Sequence, residues 1–211
     1  MFLKPGSSLS EKFSDAVDFL IVNFLYVLFC LPVFTIGAAQ CALYETSFSY
    51  LNYQESGARI FLRAFKNNFR SITPIYLLLL ALAVFLLFDL YIVVTHEIIL
   101  YKLMCIVLAF IFVVFAFVTT QLFLVHSRFV CTKKQLFVNA ILISLAHPLR
   151  TIIIGLLNLF PWMLLALDPH IFFSVLPVFI LAYHALASYF SAKCMQKPFL
   201  KYEDQVKGHD E

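Results

Sequence analysis

Two stretches of this chain, Ile75 to Phe88 and Leu103 to Val118, hold a single conventional polar side chain between them, Tyr76. A helix built from either stretch has no polar face to turn to water, so both of its sides must meet something apolar. A soluble core cannot supply that surrounding, because the chain lacks the polar residues to cover such helices. Hydrocarbon can. Composition agrees: 63% of the 211 residues are apolar and 13% are charged, with mean hydropathy +0.93, whereas soluble domains carry about 25% charged residues. The expected fold is all-α, a polytopic transmembrane bundle of five to six membrane segments with one amphipathic interfacial helix on the cytoplasmic side.

A bilayer core of about 30 Å takes about 20 apolar helical residues. Four segments meet that length: Phe19 to Ala39, Pro74 to Thr95, Leu100 to Val125 and Ile171 to Phe190. A fifth lies in the run from Leu136 to Leu167, which as one helix would reach about 48 Å. His147-Pro148 interrupts it, so Leu136 to His147 reads as a kinked or interfacial entry and Leu149 to Leu167 as the span. No linker divides the chain, so residues 1–211 form one membrane domain. Its expected parts are a polar stretch 1–18, a helical pair 19–54, a basic helix 57–73, helices 74–95, 100–125, 136–167 and 171–192, and a polar tail 193–211. The first apolar stretch is too long for a signal peptide's core, and no cleavable signal is expected.

The segment Ile36 to Asn52 is ambiguous, being almost long enough to cross yet carrying Gln40, Glu45, Thr46, Ser47 and Ser49. Charge placement favours six segments with a turn near Pro32. Both termini, the Arg59 to Arg70 stretch and the Arg128 to Lys134 loop then share one side, with 13 of the 15 basic residues. The positive-inside rule makes that side the cytoplasm of a multi-pass plasma-membrane protein. With five spans, Ile36 to Asn52 is re-entrant or interfacial, and Lys4 and Lys12 move outside.

Arg59, Arg63, Lys66 and Arg70 follow one another at spacings of four, three and four, forming one helical stripe opposite Phe61, Phe65, Phe69 and Ile72. That is the pattern of a helix lying in the interface, aromatic rings in the acyl boundary and cations on anionic headgroups. The same stripe suits an acidic protein partner. Nucleic acid is not an expected partner, because the cations are few and membrane-adjacent. Ionisable or polar residues inside spans are functional candidates because hydrocarbon penalises them. Here they are Gln40 and Glu45, together with Asp89 and Arg150 near span ends. His126, His147 and His184 lie on different segments without ligand spacing, and the five cysteines form no C-x-x-C pair, so neither a metal nor another cofactor is expected. No phosphate loop, nucleophile elbow or H-E-x-x-H motif occurs, and no catalytic residue is assigned. Leu31-Pro-Val-Phe34 recurs as Leu176-Pro-Val-Phe179, the kind of echo that internal repeats of transporters leave.

Leu31-Pro-Val-Phe-Thr-Ile-Gly-Ala-Ala39 with Ala42-Leu-Tyr44, then Phe65-Lys-Asn-Asn-Phe69 and Phe88-Asp-Leu-Tyr91, resembles the YesL family of bacterial membrane proteins. Arg128-Phe129 and Asn139-Ala140 are later echoes. The resemblance singles out Pro32, Thr35, Gly37, Tyr44, Phe65, Lys66, Asn68, Phe69 and Asp89 as functional or folding positions. It implies a context rather than a reaction, since such proteins are encoded beside carbohydrate-utilisation genes and sugar transporters. The expectation is a non-enzymatic accessory component that contacts a sugar transporter or a cytoplasmic regulator. A small-solute transporter or channel built on Gln40 and Glu45, acting as a homo-oligomer, is the alternative. A membrane enzyme working on lipid or lipid-linked sugar is the third reading.

Overall fold

The computed structural model describes residues 9–52, 57–95 and 99–207, with side chains described for 17–52, 57–95 and 101–203. Among them no strand occurs, and the fold is an all-α bundle. Its helices are α1 (Leu9–Cys30), α2 (Ile36–Leu51), α3 (Gly57–Val94), α4 (Ile99–His126), α5 (Lys133–Ala146), α6 (Pro148–Leu167), α7 (Pro169–Val178) and α8 (His184–Lys207). Four helical stretches are long and apolar enough to cross a membrane: Gly57–Val94, Tyr101–His126, Pro148–Leu167 and the continuous Pro169–Glu203, whereas Val17–Cys30 is a shorter apolar helix. The side chains of Lys4, Lys12 and Lys207 lie outside the described residues.

Local chemistry sets the breaks between elements. Pro32 precedes a 3-10 turn over Val33–Thr35, where Thr35 Oγ1 donates to the carbonyls of Phe29 and Pro32, so the turn near Pro32 forms as expected. At the His147-Pro148 break proline opens α6, a position where its missing N–H costs nothing. Thr132 and Gln135 form a capping box at the start of α5. Asp168 accepts from the amides of His170 and Ile171 ahead of α7. Pro177 removes a donor inside α7 and is followed by a π-helical turn, Phe179–Tyr183. The two Leu-Pro-Val-Phe segments therefore differ, one a turn between helices and the other the middle of a helix, and they do not form a structural repeat.

α1 and α2 form an antiparallel hairpin against the first half of α3. Phe19 stacks near Tyr50 and Tyr26 bonds Gln40. The place of a Cβ on Gly57 is taken by Tyr50 and Val22, and Phe29 lies against Phe61 and Phe65. Near the hairpin tip, a Cβ on Gly37 would sit 2.5 Å from Tyr76 Cβ. From Tyr76, α3 continues 18 residues to Val94, about 27 Å at 1.5 Å per residue. Both ends of the hairpin lie at the α3 end that carries the basic stripe.

Two expectations change. The basic stretch and the following span are not separate elements, because α3 runs unbroken through Pro74. Nor is the face opposite the stripe given over to acyl chains: Phe61 and Ile72 are fully buried among protein side chains, since α1 and α2 pack against that face, while Phe65 and Phe69 are half-buried. The cations opposite them are exposed, all four. The tail beyond Ala192 continues α8, with Met195 and Phe199 in the core.

Candidate functional site

Polar side chains meet inside the bundle in a chain of amides and phenols. Tyr26 OH donates to Gln40 Oε1 at 2.7 Å, Gln40 Nε2 donates to Asn158 Oδ1 at 3.2 Å, and Tyr44 OH donates to the same oxygen at 3.1 Å. Asn158 Nδ2 closes the chain on the Ile154 carbonyl. This joins α1, α2 and α6, and the His184 ring lies 5.0 Å from that of Tyr26. Beside it Asn23, wholly buried, donates to the carbonyls of Phe179 and Ile180 and accepts from the amide of Ala185. The π-helical turn frees backbone groups, and Asn23 satisfies them from another helix. Ser47 and Ser188 bond across α2 and α8 at 2.8 Å, and Gln121 Nε2 donates to Thr151 Oγ1 at 3.1 Å between α4 and α6.

Of the expected residues, Gln40 and Tyr44 enter this chain, and Gly37 gives α2 its close approach to α3. Thr35 ties the hairpin tip, and Pro32 is exposed there. Glu45 lies apart: its Oε2 accepts from Asn68 Nδ2 at 3.0 Å, and the charge of Arg63 acts on it. Phe65 and Phe69 stack on each other and reach Phe29 and Phe34, while Lys66 points outward. Asp89 sits about 20 Å beyond Tyr76 along α3 and joins none of these groups; among the described residues it makes no hydrogen bond or ion pair. Arg150 is at the mouth of α6, where it shares a cleft of about 290 Å³ with His147, Lys197, Pro198, Lys201 and Tyr202.

Asn23, Tyr26, Gln121 and Asn158 were not singled out by sequence reasoning, which weighed ionisable residues. Their signal was present: Asn158 is the one amide in the apolar run from Ile152 to Leu167, and Asn23 interrupts the first apolar stretch. An uncharged amide costs less in hydrocarbon than a charge but still requires partners.

The basic surfaces have two parts. Arg59, Arg63, Lys66 and Arg70 line one exposed face of α3, and a groove of about 480 Å³ lies along Phe65, Lys66, Asn67, Phe69 and Arg70. On another side, Arg128 grips Glu203 through Nε at 2.6 Å and Nη2 at 3.1 Å and lies over the Phe48 ring. That is the one ion pair among the described residues. His147, outside the spans, bonds Tyr202 OH at 3.2 Å through Nε2. Partial burial, then the charges of Arg150 and Lys201, hold its imidazole below the ordinary histidine range. His126 instead meets Ser71, and His184 meets Tyr26, so the three histidines are in three places. Among the described residues no three His, Cys, Asp or Glu side chains converge as metal ligands would, and the five cysteines are free thiols.

No curated protein and no solved structure matches the chain. Residues 19–90, about a third of the sequence, match a family described as "Protein of unknown function, DUF624". All nine motif residues from Pro32 to Asp89 fall in that stretch, which spans the apolar part of α1, the whole of α2 and most of α3. This part of the chain thus carries the pattern of an uncharacterised domain family.

Proposed function

We propose that this integral membrane protein is a non-enzymatic interaction component whose basic α3 face docks a partner with an acidic surface. One contrast carries the reading. Most polar groups inside the bundle bond one another or the backbone, with Thr73 Oγ1 and Gln121 Oε1 as exceptions, whereas the four cations of α3 point outward with no ion pair among the described residues. Amides and phenols already engaged hold helices together and have little left for a passing solute. Outward cations on the most tightly packed helix pair form a rigid, charged surface, suited to recognition. A setting in sugar uptake is supported by the YesL-like motifs, with a sugar transporter or its cytoplasmic regulator as the partner.

The basic side is taken as the cytoplasm of the plasma membrane, and both termini are assigned to it, because the α1–α2 hairpin leaves by the face through which it enters and four spanning stretches follow it. Its tip lies about 27 Å short of the far end of α3, so the hairpin is read as re-entrant rather than as two spans. A single cysteine at Phe34, in a background without native cysteines, should resist membrane-impermeant maleimide from outside intact cells. Labelling there as fast as at an external loop would restore six full crossings.

The docking reading is tested by replacing Arg59, Arg63, Lys66 and Arg70 with Gln and purifying native complexes in mild detergent. The variant should insert and accumulate normally yet lose its partner. Retention of every co-purifying protein by a normally inserted variant sinks the proposal.

One observation favours a transporter as second reading: a half-depth hairpin carrying Gln40 and Tyr44 toward Asn158 resembles the interrupted helices around transport sites. Saturable solute flux into liposomes holding the pure protein, abolished by Gln40→Leu, would establish it.

A further inference from the structure

The cleft at the mouth of α6 is unlike the α3 stripe, for it is concave and draws its charges from two helices. Arg150 comes from the first turn of α6, while Lys197 and Lys201 stand one turn apart on α8. Like charges four residues apart on a helix repel, and Arg150 adds a third. Among the described residues no ion pair reaches them, and Glu203 of α8 is held by Arg128. Tyr202, also from α8, and His147, just before α6, line the cleft as well; their hydroxyl and ring are bonded to each other, and where His147 Nε2 donates, the Tyr202 hydroxyl proton is left for a ligand. Immediately beyond, the outer surface turns apolar, with Leu145 73% and Leu149 76% exposed. Cations above a lipid-facing wall put the cleft at headgroup depth.

We infer that this cleft binds a phosphate group, with Arg150, Lys197 and Lys201 as its charge partners and Tyr202 as a neutral donor. An anion there removes the mutual repulsion of the three cations, and Arg150 can meet two phosphate oxygens at once. The volume of about 290 Å³ stands at the small end of ligand sites, enough for one headgroup or one small phosphorylated solute. The site lies on α6 and α8, so it is independent of docking at α3.

The experiment uses the full chain in detergent micelles and native mass spectrometry with two added lipids, phosphatidylglycerol and a phosphate-free diglucosyl diacylglycerol. Calorimetric titration with inorganic phosphate forms the second arm. Wild type should retain phosphatidylglycerol at least tenfold over the glycolipid. The triple variant R150Q/K197Q/K201Q should lose that preference, while the charge-keeping R150K/K197R/K201R and the α3 variant R59Q/R63Q/K66Q/R70Q should keep it. If inorganic phosphate binds wild type and not the triple Gln variant, with no preference between lipids, the phosphate comes from a soluble ligand and the site stands. No binding of either probe to wild type overturns the inference, as does a preference that survives the triple Gln change or disappears in the α3 variant. The charge-keeping variant separates a lost site from a misfolded protein.

Discussion

A helix of this protein that carries several polar groups, α2, is largely buried, and its most apolar helix, α4, buries little of its length. In α2, 11 of 16 residues are buried, among them Thr46 and Ser47. In α4 no described residue before Gln121 is buried, and Ile106 and Phe110 are each 68% exposed. In water that arrangement would be inverted. In hydrocarbon an apolar side chain is as well placed against lipid as against protein, so burial is governed by close approach and by hydrogen bonds that lipid cannot offer. α2 supplies both, with Gly37, Ala38, Ala39, Cys41 and Ala42 permitting contact and Gln40 and Tyr44 supplying bonds.

This contrast can be broken at graded points. The largest effect should follow Phe61→Ser beside α2, which opens a void and buries a hydroxyl; the loss should be about 3–5 kcal/mol, seen as a collapsed thermal transition in size-exclusion assays. A wild-type transition would mean that α1 and α2 do not cover this face. Gly37→Val should cost about 1–3 kcal/mol by overpacking against Tyr76, read by the same assay; tolerance of valine would remove the close approach on which the comparison rests. Asn158→Leu, which strands Gln40 and Tyr44 without their shared acceptor, should cost about 1–2 kcal/mol in a steric-trapping measurement in bicelles. A more stable variant would show that the polar chain serves something other than stability. The smallest change belongs to α4: Phe110→Leu should stay within about 0.5 kcal/mol, and a larger loss would reveal a protein neighbour on that face.

How far the sequence was legible follows from the same physics. The stretches that form α3 beyond Pro74, α4, α6 and α7 could be found because hydropathy registers what lipid will accept, and the His147-Pro148 break because proline acts locally. The spacing of the four cations was legible as one helical stripe, and all four are exposed on α3. What could not be read was which apolar face meets protein. Phe61 and Phe110 are the same residue, and only the hairpin packed on one of them distinguishes the two. The depth of that hairpin was equally hidden, since Gln40 pairs with a residue 118 positions away and no local pattern encodes such a partner. Pro74 misled in the opposite direction, marking a boundary where neighbouring helices hold α3 continuous.

Those sequence separations also set a timetable for biogenesis. Asn23 finds the carbonyls of its π-helical turn 156 and 157 residues later, and Gln40 waits 118 residues for Asn158. At roughly 5–20 residues per second of synthesis, the wait for Asn158 alone lasts roughly 6–24 s. During that interval the nascent hairpin holds amides and phenols whose final partners do not yet exist, beside a hydrocarbon phase that cannot substitute for them. Chains truncated before α6 should therefore persist as clients of membrane insertases and quality-control proteases, while chains ending after α8 should escape them.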